Sequence, residues 1–203
     1  MQKTNESSNF SNLLVEVKDH ERAGNFQKML RSVYRLIESQ PDLAEAHYMK
    51  GIGHLRLSAY HLAMDAFNTA ISLGEDNAAA HNYLGITYYK LGNYEDALTE
   101  FKEAIRKNPA MVDGYLNLGN VYYALRKYHE AGLAYRKTTE LDPDYAIAYY
   151  FAANCWLALG DVKAAQVECG LLSNIDPTLP SELQKKISAV NDNTLAMHRK
   201  LSP

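Results

Sequence analysis

The stretch VDGYLNLGNVYYALRKYHEAGLAYRKTTELDPDY, residues 112–145, holds Tyr115, Leu118, Gly119, Tyr122, Ala131, Tyr135 and Pro143, and residues of the same kinds return 34 positions away in either direction. Gly119 is matched by Gly51 and Gly85, and Ala131 by Ala63, Ala97 and Ala165. Tyr135 is matched by Phe67, Phe101 and Cys169, and Pro143 by Pro109 and Pro177. A fixed period of this length is the signature of a repeat array built from one supersecondary unit. Within a period, Leu84, Tyr88 and Leu91, then Ala97, Phe101, Ala104 and Ile105, recur at three- and four-residue steps. Each half of the period therefore reads as an amphipathic helix. Small residues at the glycine and alanine positions let the helix backbones approach.

Between the two helices, Gly92-Asn93-Tyr94, Gly24-Asn25-Phe26 and Gly160-Asp161-Val162 predict a left-handed cap that ends one helix and starts the next. Pro109 and Pro143 stop the second helix, because proline lacks an amide donor and disfavours helix in the residue before it.

The seven positions resemble the tetratricopeptide-repeat (TPR) consensus, with Tyr115 where that motif often carries Trp. The expected fold is all-α: a right-handed α-solenoid of five TPR helix-turn-helix repeats plus a C-terminal capping helix. The period divides the chain into a flexible N-terminus (1–9), TPR 1 (10–43), TPR 2 (44–77), TPR 3 (78–111), TPR 4 (112–145), TPR 5 (146–179), a capping helix (180–198) and a tail (199–203). TPR 1 departs from the pattern, with Val17 at the glycine position, His20 at an aromatic one and Met29 at a small one, while Pro41 keeps the register. In the capping segment Ser181 and Gln184 form a capping-box pattern, and Leu183, Ile187 and Val190 an apolar stripe. Such a lid is expected because the last unit of an array has no neighbour to cover its apolar face.

Composition predicts a soluble, reduced, cytoplasmic protein. Twenty-one basic side chains against 24 acidic ones give a net charge of −3, so no overall field attracts nucleic acid. Cys155 and Cys169 fall at small or apolar core positions and read as buried thiols. The opening MQKTNESSNF is polar, and no signal peptide or membrane anchor is expected from it. The uncharged run Tyr145–Gly160 is shorter than the roughly 20 residues of a membrane span. Lys185-Lys186 and Arg199-Lys200 allow at most peripheral membrane association, being sparser than lipid-binding basic clusters.

Nothing in the chain reads as catalytic machinery, and no enzyme activity or cofactor is expected. There is no phosphate loop; Gly51-Ile52-Gly53 lacks the strand and third glycine of a dinucleotide site. His47, His54 and His61 are seven apart, but the first two sit at aromatic core positions and the third opens a helix. No cysteine or carboxylate cluster completes a metal site.

The TPR resemblance implies that first helices line a concave groove. The corresponding positions here are Tyr48, Ile52, Leu55 and Arg56; Asn82, Ile86, Tyr89 and Lys90; Leu116, Asn120 and Tyr123; Tyr150, Asn154 and Leu157, with Asn117 and Tyr145 at the border. Tyrosine supplies contact area at low entropy cost, and asparagine pairs with a peptide backbone whatever its sequence. Several of these tyrosines equally suit packing between neighbouring first helices. The carboxylate clamp of heat-shock co-chaperones is missing: Asn82 and Asn117 are present, but Ile86, Ile147 and Phe151 replace its polar or cationic groups. Asn117-Leu118-Gly119-Asn120 resembles the asparagine-bearing repeats of O-linked glycosyltransferases. Lys50-Gly51-Ile52-x-His54 is similar to bacterial organelle-scaffold TPR proteins of the MamA type. The expected function is a protein-interaction scaffold that binds a peptide or partner helix, the alternative being a self-assembling homo-oligomeric platform of the kind found on a bacterial organelle membrane.

Overall fold

The 34-residue period sets where each helix after the first begins. The computed structural model describes residues 2–178 and 180–201, with side chains described for residues 10–178 and 180–190. Its helices are α1 (Gln2–Arg22), α2 (Phe26–Ser39), α3 (Ala44–Arg56), α4 (Tyr60–Ser72), α5 (Ala78–Leu91), α6 (Tyr94–Lys107), α7 (Val112–Ala124), α8 (Tyr128–Leu141), α9 (Ala146–Ala158), α10 (Val162–Ile175) and α11 (Pro180–Leu201). No strand occurs among the described residues. The chain is an all-α solenoid of helical hairpins, and α3, α5, α7, α9 and α11 begin at 34-residue intervals. Helix α1 starts at Gln2, inside the segment expected to be flexible, and α11 runs to Leu201, past the expected end at 198. Ser202 and Pro203, from the expected tail, lie outside the described residues.

The chain comprises two compact units, residues 1–109 and 110–203. In the first, α1 pairs with α2, α3 with α4 and α5 with α6, while α2 packs on α3 and α4 on α5. Leu13, Val17, Met29, Val33, Met49, Ile52, Phe67 and Leu84 share its main apolar cluster. In the second, α7 pairs with α8 and α9 with α10; α8 packs on α9, and α11 lies against both α10 and α9. There Leu183 and Ile187 of α11 are buried with Tyr149, Trp156, Cys169 and Leu172.

The glycines act differently from expectation. A Cβ at Gly51, Gly85 or Gly119 would come within 2.6–2.8 Å of the rings of Phe67, Phe101 and Tyr135. The second helix therefore fills the glycine site with an aromatic side chain, rather than with close-approaching backbone. Gly24, Gly92 and Gly160 have φ of 69°, 80° and 77°, the left-handed cap predicted for them. At the equivalent turns of the second and fourth hairpins the left-handed residue is Ser58 (φ 59°) and Arg126 (φ 58°). The Ser181–Gln184 capping box is corrected: α11 already begins at Pro180, whose fixed φ and missing N–H suit the first helical position. The Ser181 hydroxyl instead donates to the Thr178 carbonyl at 3.4 Å.

Candidate functional site

The first helices of the second unit carry the polar part of the expected lining, and packing against α8 orients it. Tyr135 of α8, 1% exposed, donates its hydroxyl to Asn120 Oδ1 at 2.8 Å. Its ring stacks on Phe151 of α9 at 5.4 Å. Phe151 in turn meets Tyr150 edge-on at 5.8 Å. One helical turn on, Asn154 Nδ2 donates to the Tyr150 carbonyl at 2.7 Å.

Each of these two asparagines thus has one end of its carboxamide fixed by the protein. Asn120 keeps its NH₂ for an outside acceptor; Asn154 keeps its oxygen for an outside donor. They are equivalent positions, the ninth residues of α7 and α9. Leu116 and Asn117 are half-buried, Leu116 resting on the Ala131–Tyr135–Cys155 cluster. Tyr123, 41% exposed, lies edge-on to Tyr128 at 5.4 Å. Lys186 of α11 sits over the Tyr150 ring, 5.8 Å from its centroid.

The first unit offers a different surface. At the ninth position of α3 and α5 stand Ile52 and Ile86. Ile52 is buried in the core and Ile86 is half-buried. Asn82, expected in the lining, is also buried. Ile52 and Asn82 are buried for one cause: they hold the ninth and fifth positions of their helices, four apart in the period and so on one stripe, which in this unit turns toward packed neighbours. Tyr48 packs edge-on against Phe67 and Tyr83, each at 5.9 Å, and burial, then Tyr83, pushes its hydroxyl above the usual tyrosine range. Tyr89 is half-buried beside Tyr94 at 5.6 Å. Arg56 and Lys90 are exposed.

Three groupings were not legible as a pattern because they join residues on different helices. Buried His54 bonds through Nε2 to the Tyr34 hydroxyl at 3.0 Å, with Lys50 Nζ 5.5 Å from the Tyr34 ring centroid. His81 lies between Asp76 (2.8 Å) and Glu100 (2.6 Å), and Lys107 also reaches Asp76 at 2.9 Å. Glu168, 2% exposed, accepts from Arg136 Nη2 at 3.0 Å, and that guanidinium stacks 5.1 Å from Trp156. A signal existed for the last: a Glu at a core position of the period needs a cation.

Cys155 and Cys169 are buried free thiols; burial pushes the Cys155 thiol up to about 12. His47 Nε2 pairs with the Pro41 carbonyl at 2.7 Å. Among the described residues, no group of three or more His, Cys, Asp or Glu side chains is placed to hold a metal ion. No helix among them is long and apolar enough to cross a membrane.

Helical hairpins repeating every 34 residues, with a tyrosine- and asparagine-bearing first-helix face, define an α-solenoid repeat protein. Residues 87–126 match the TPR repeat model and residues 112–145 the tetratricopeptide repeat model. Among solved structures, MamA (residue 41 to the end) from Desulfovibrio magneticus RS-1 is similar at TM-score 0.77 and 20% identity, covering 85% of this chain and 98% of that one. YrrB, described as a TPR protein with an unusual peptide-binding site, is similar at TM-score 0.71 and 21% identity, covering 85% and 87%. PilF of Pseudomonas aeruginosa is similar at TM-score 0.75 and 16% identity, covering 97% and 94%. These likenesses concern the fold. No curated protein matches the sequence.

Proposed function

We propose that the protein is a non-enzymatic interaction scaffold that holds an extended peptide on the first-helix face of residues 110–203. The observation that carries this reading is the opposite polarity of Asn120 and Asn154. One presents a donor and the other an acceptor at equivalent positions of successive first helices. A peptide main chain offers a carbonyl and an N–H in the same alternation, so the pair can engage backbone without reading side chains. Leu116, Asn117, Tyr123 and Tyr150 supply the surrounding amphipathic contact. YrrB, of the same fold, is itself described as having a peptide-binding site. In the first unit Tyr48, Ile52, Asn82 and Ile86 serve packing more than contact, and Arg56, Tyr89 and Lys90 remain as its accessible lining.

The test is fluorescence titration of a labelled dodecapeptide, enriched from a random library on the full chain, against the Asn120→Ala/Asn154→Ala variant. Each hydrogen bond is worth about 1 kcal/mol, so affinity falls about tenfold or more while the melting temperature holds. Because the site is neutral, raising salt weakens binding little. Unchanged affinity in the double variant rejects the reading.

A second reading, self-assembly into a homo-oligomer, draws on Val167 and Leu171, one turn apart on α10 and 59% and 45% exposed. Unpartnered apolar stripes of that kind suit contact with another chain. A molar mass by light scattering that stays at one chain across a concentration series excludes it.

A further inference from the structure

We infer that α11 is part of the peptide-binding face as well as a lid, and that Ser188 and Gln184 form a third polar rung beyond Asn120 and Asn154; the inference rests on the reading above. Three observations carry it. Pro180 opens α11 34 residues after Ala146 opens α9, the same interval that separates α9 from α7. The helix lies against α9 and α10, and its buried residues keep that register. Leu183 stands at the place of buried Tyr149, and Ile187 at the place of buried Ala153. Ser188 consequently occupies the ninth position, that of Asn120 and Asn154, and Gln184 the fifth, that of Leu116 and Tyr150.

Both side chains are exposed. Four residues apart, they share one stripe of the helix. On the other side of the buried Leu183–Ile187 stripe, Lys186 contacts α9, its ammonium reaching the Tyr150 hydroxyl at 3.5 Å and Glu182 of its own helix at 3.0 Å. The rotation of α11 is set by Leu183 and Ile187, buried with Tyr149 and Trp156 of α9.

The chemistry of the row continues in kind. Asn120 presents a donor and Asn154 an acceptor, while the Ser188 hydroxyl and the Gln184 carboxamide each present both. Packed helices lie about 8–10 Å apart, and an extended chain advances about 3.3 Å per residue. One rung therefore corresponds to about three peptide residues, and three rungs to an extended segment of about six or seven. The occupant is an extended peptide bound through its main chain.

The experiment uses the full-length chain and the labelled library-selected dodecapeptide as probe. Ser188→Trp, which blocks the rung while leaving the buried stripe intact, lowers affinity at least tenfold; Gln184→Ala lowers it a few-fold. Ala189→Trp, an equally bulky change on the adjacent exposed position, leaves affinity within twofold. Melting temperatures of all three stay within a few degrees of the parent. If Asn120→Ala/Asn154→Ala loses binding while Ser188→Trp binds as the parent does, α11 is a lid only and the inference is overturned, with the two-asparagine site standing. Equal losses in Ser188→Trp and Ala189→Trp overturn it too, since the effect then belongs to the helix and not to the rung. If neither the asparagine pair nor Ser188→Trp matters, the peptide reading itself fails.

Discussion

A glycine facing an aromatic ring is the recurring contact inside three of the hairpins, and it explains why the terminal hairpins look divergent. Gly51, Gly85 and Gly119 receive the rings of Phe67, Phe101 and Tyr135. At the same places the first hairpin has Val17 and Val33 and the fifth has Ala153 and Cys169, all buried. The volume is shared between the helices in one case and given to the second helix in the other, a kind of exchange that cores tolerate. Gly85→Val pushes branched carbon into the Phe101 ring, where even a Cβ comes within 2.8 Å. Overpacking of this kind costs about 1–3 kcal/mol, and Phe101→Val alone costs somewhat less than the about 3–5 kcal/mol of a full truncation to Ala. The double variant recreates the Val17–Val33 pairing, so its loss is smaller than the sum of the singles. Urea denaturation of the four proteins measures the coupling; strict additivity refutes the exchange.

At the scale of the helix, the turns between paired helices repeat one geometry with unequal sequence. Arg126 closes α7 in the left-handed region, its N–H donating to the Tyr123 carbonyl at 3.0 Å. A side chain there costs about 1–2 kcal/mol, and glycine's extra unfolded-state freedom cancels about 0.5–1 of that. Arg126→Gly therefore raises stability by about 0.5–1 kcal/mol, visible as a higher thermal midpoint, and Gly92→Ala lowers it. A lower midpoint for Arg126→Gly contradicts the strain. The repeating helix starts and the turns at Gly24, Gly92 and Gly160 were legible because period, glycine and proline are local signals, whereas the start of α1 at Gln2 and the turns at Ser58 and Arg126 carry neither glycine nor proline. The capping box at Ser181 misled because a four-residue pattern cannot see that Pro180 is already suited to the first helical position. The site was legible only in outline. Sequence placed Asn120 and Asn154 at equivalent positions, but which end of each carboxamide is engaged depends on Tyr135 and the Tyr150 carbonyl, and burial of Ile52 and Asn82 depends on neighbouring helices.

For the molecule as a whole, titration predicts a stability profile with two falls on acidification. His54 is held below its ordinary value of 6.5 by burial first and by Lys50 second, and the Tyr34 hydroxyl bonds its Nε2. The unfolded chain therefore binds this proton more readily than the folded one. Stability from His54 is complete above pH 6.5 and is lost as pH falls below it. The carboxylates behave in the same direction at lower pH. Glu103 is lowered to about 2 by the Arg106 hydrogen bond first, and Asp76 is lowered by Lys107 first and His81 second. Their contribution is present above the usual carboxylate range and fades toward pH 2. Because Asp76 is exposed and Glu103 partly so, salt screens it. Urea midpoints from pH 8 to 3 are thus flat down to about pH 6.5, then fall in two stages. His54→Gln removes the first stage and keeps the second, whereas Glu103→Gln reduces the second alone, most visibly at low salt. A full first stage in His54→Gln assigns the loss to another group and refutes the role given to the Tyr34–His54 contact.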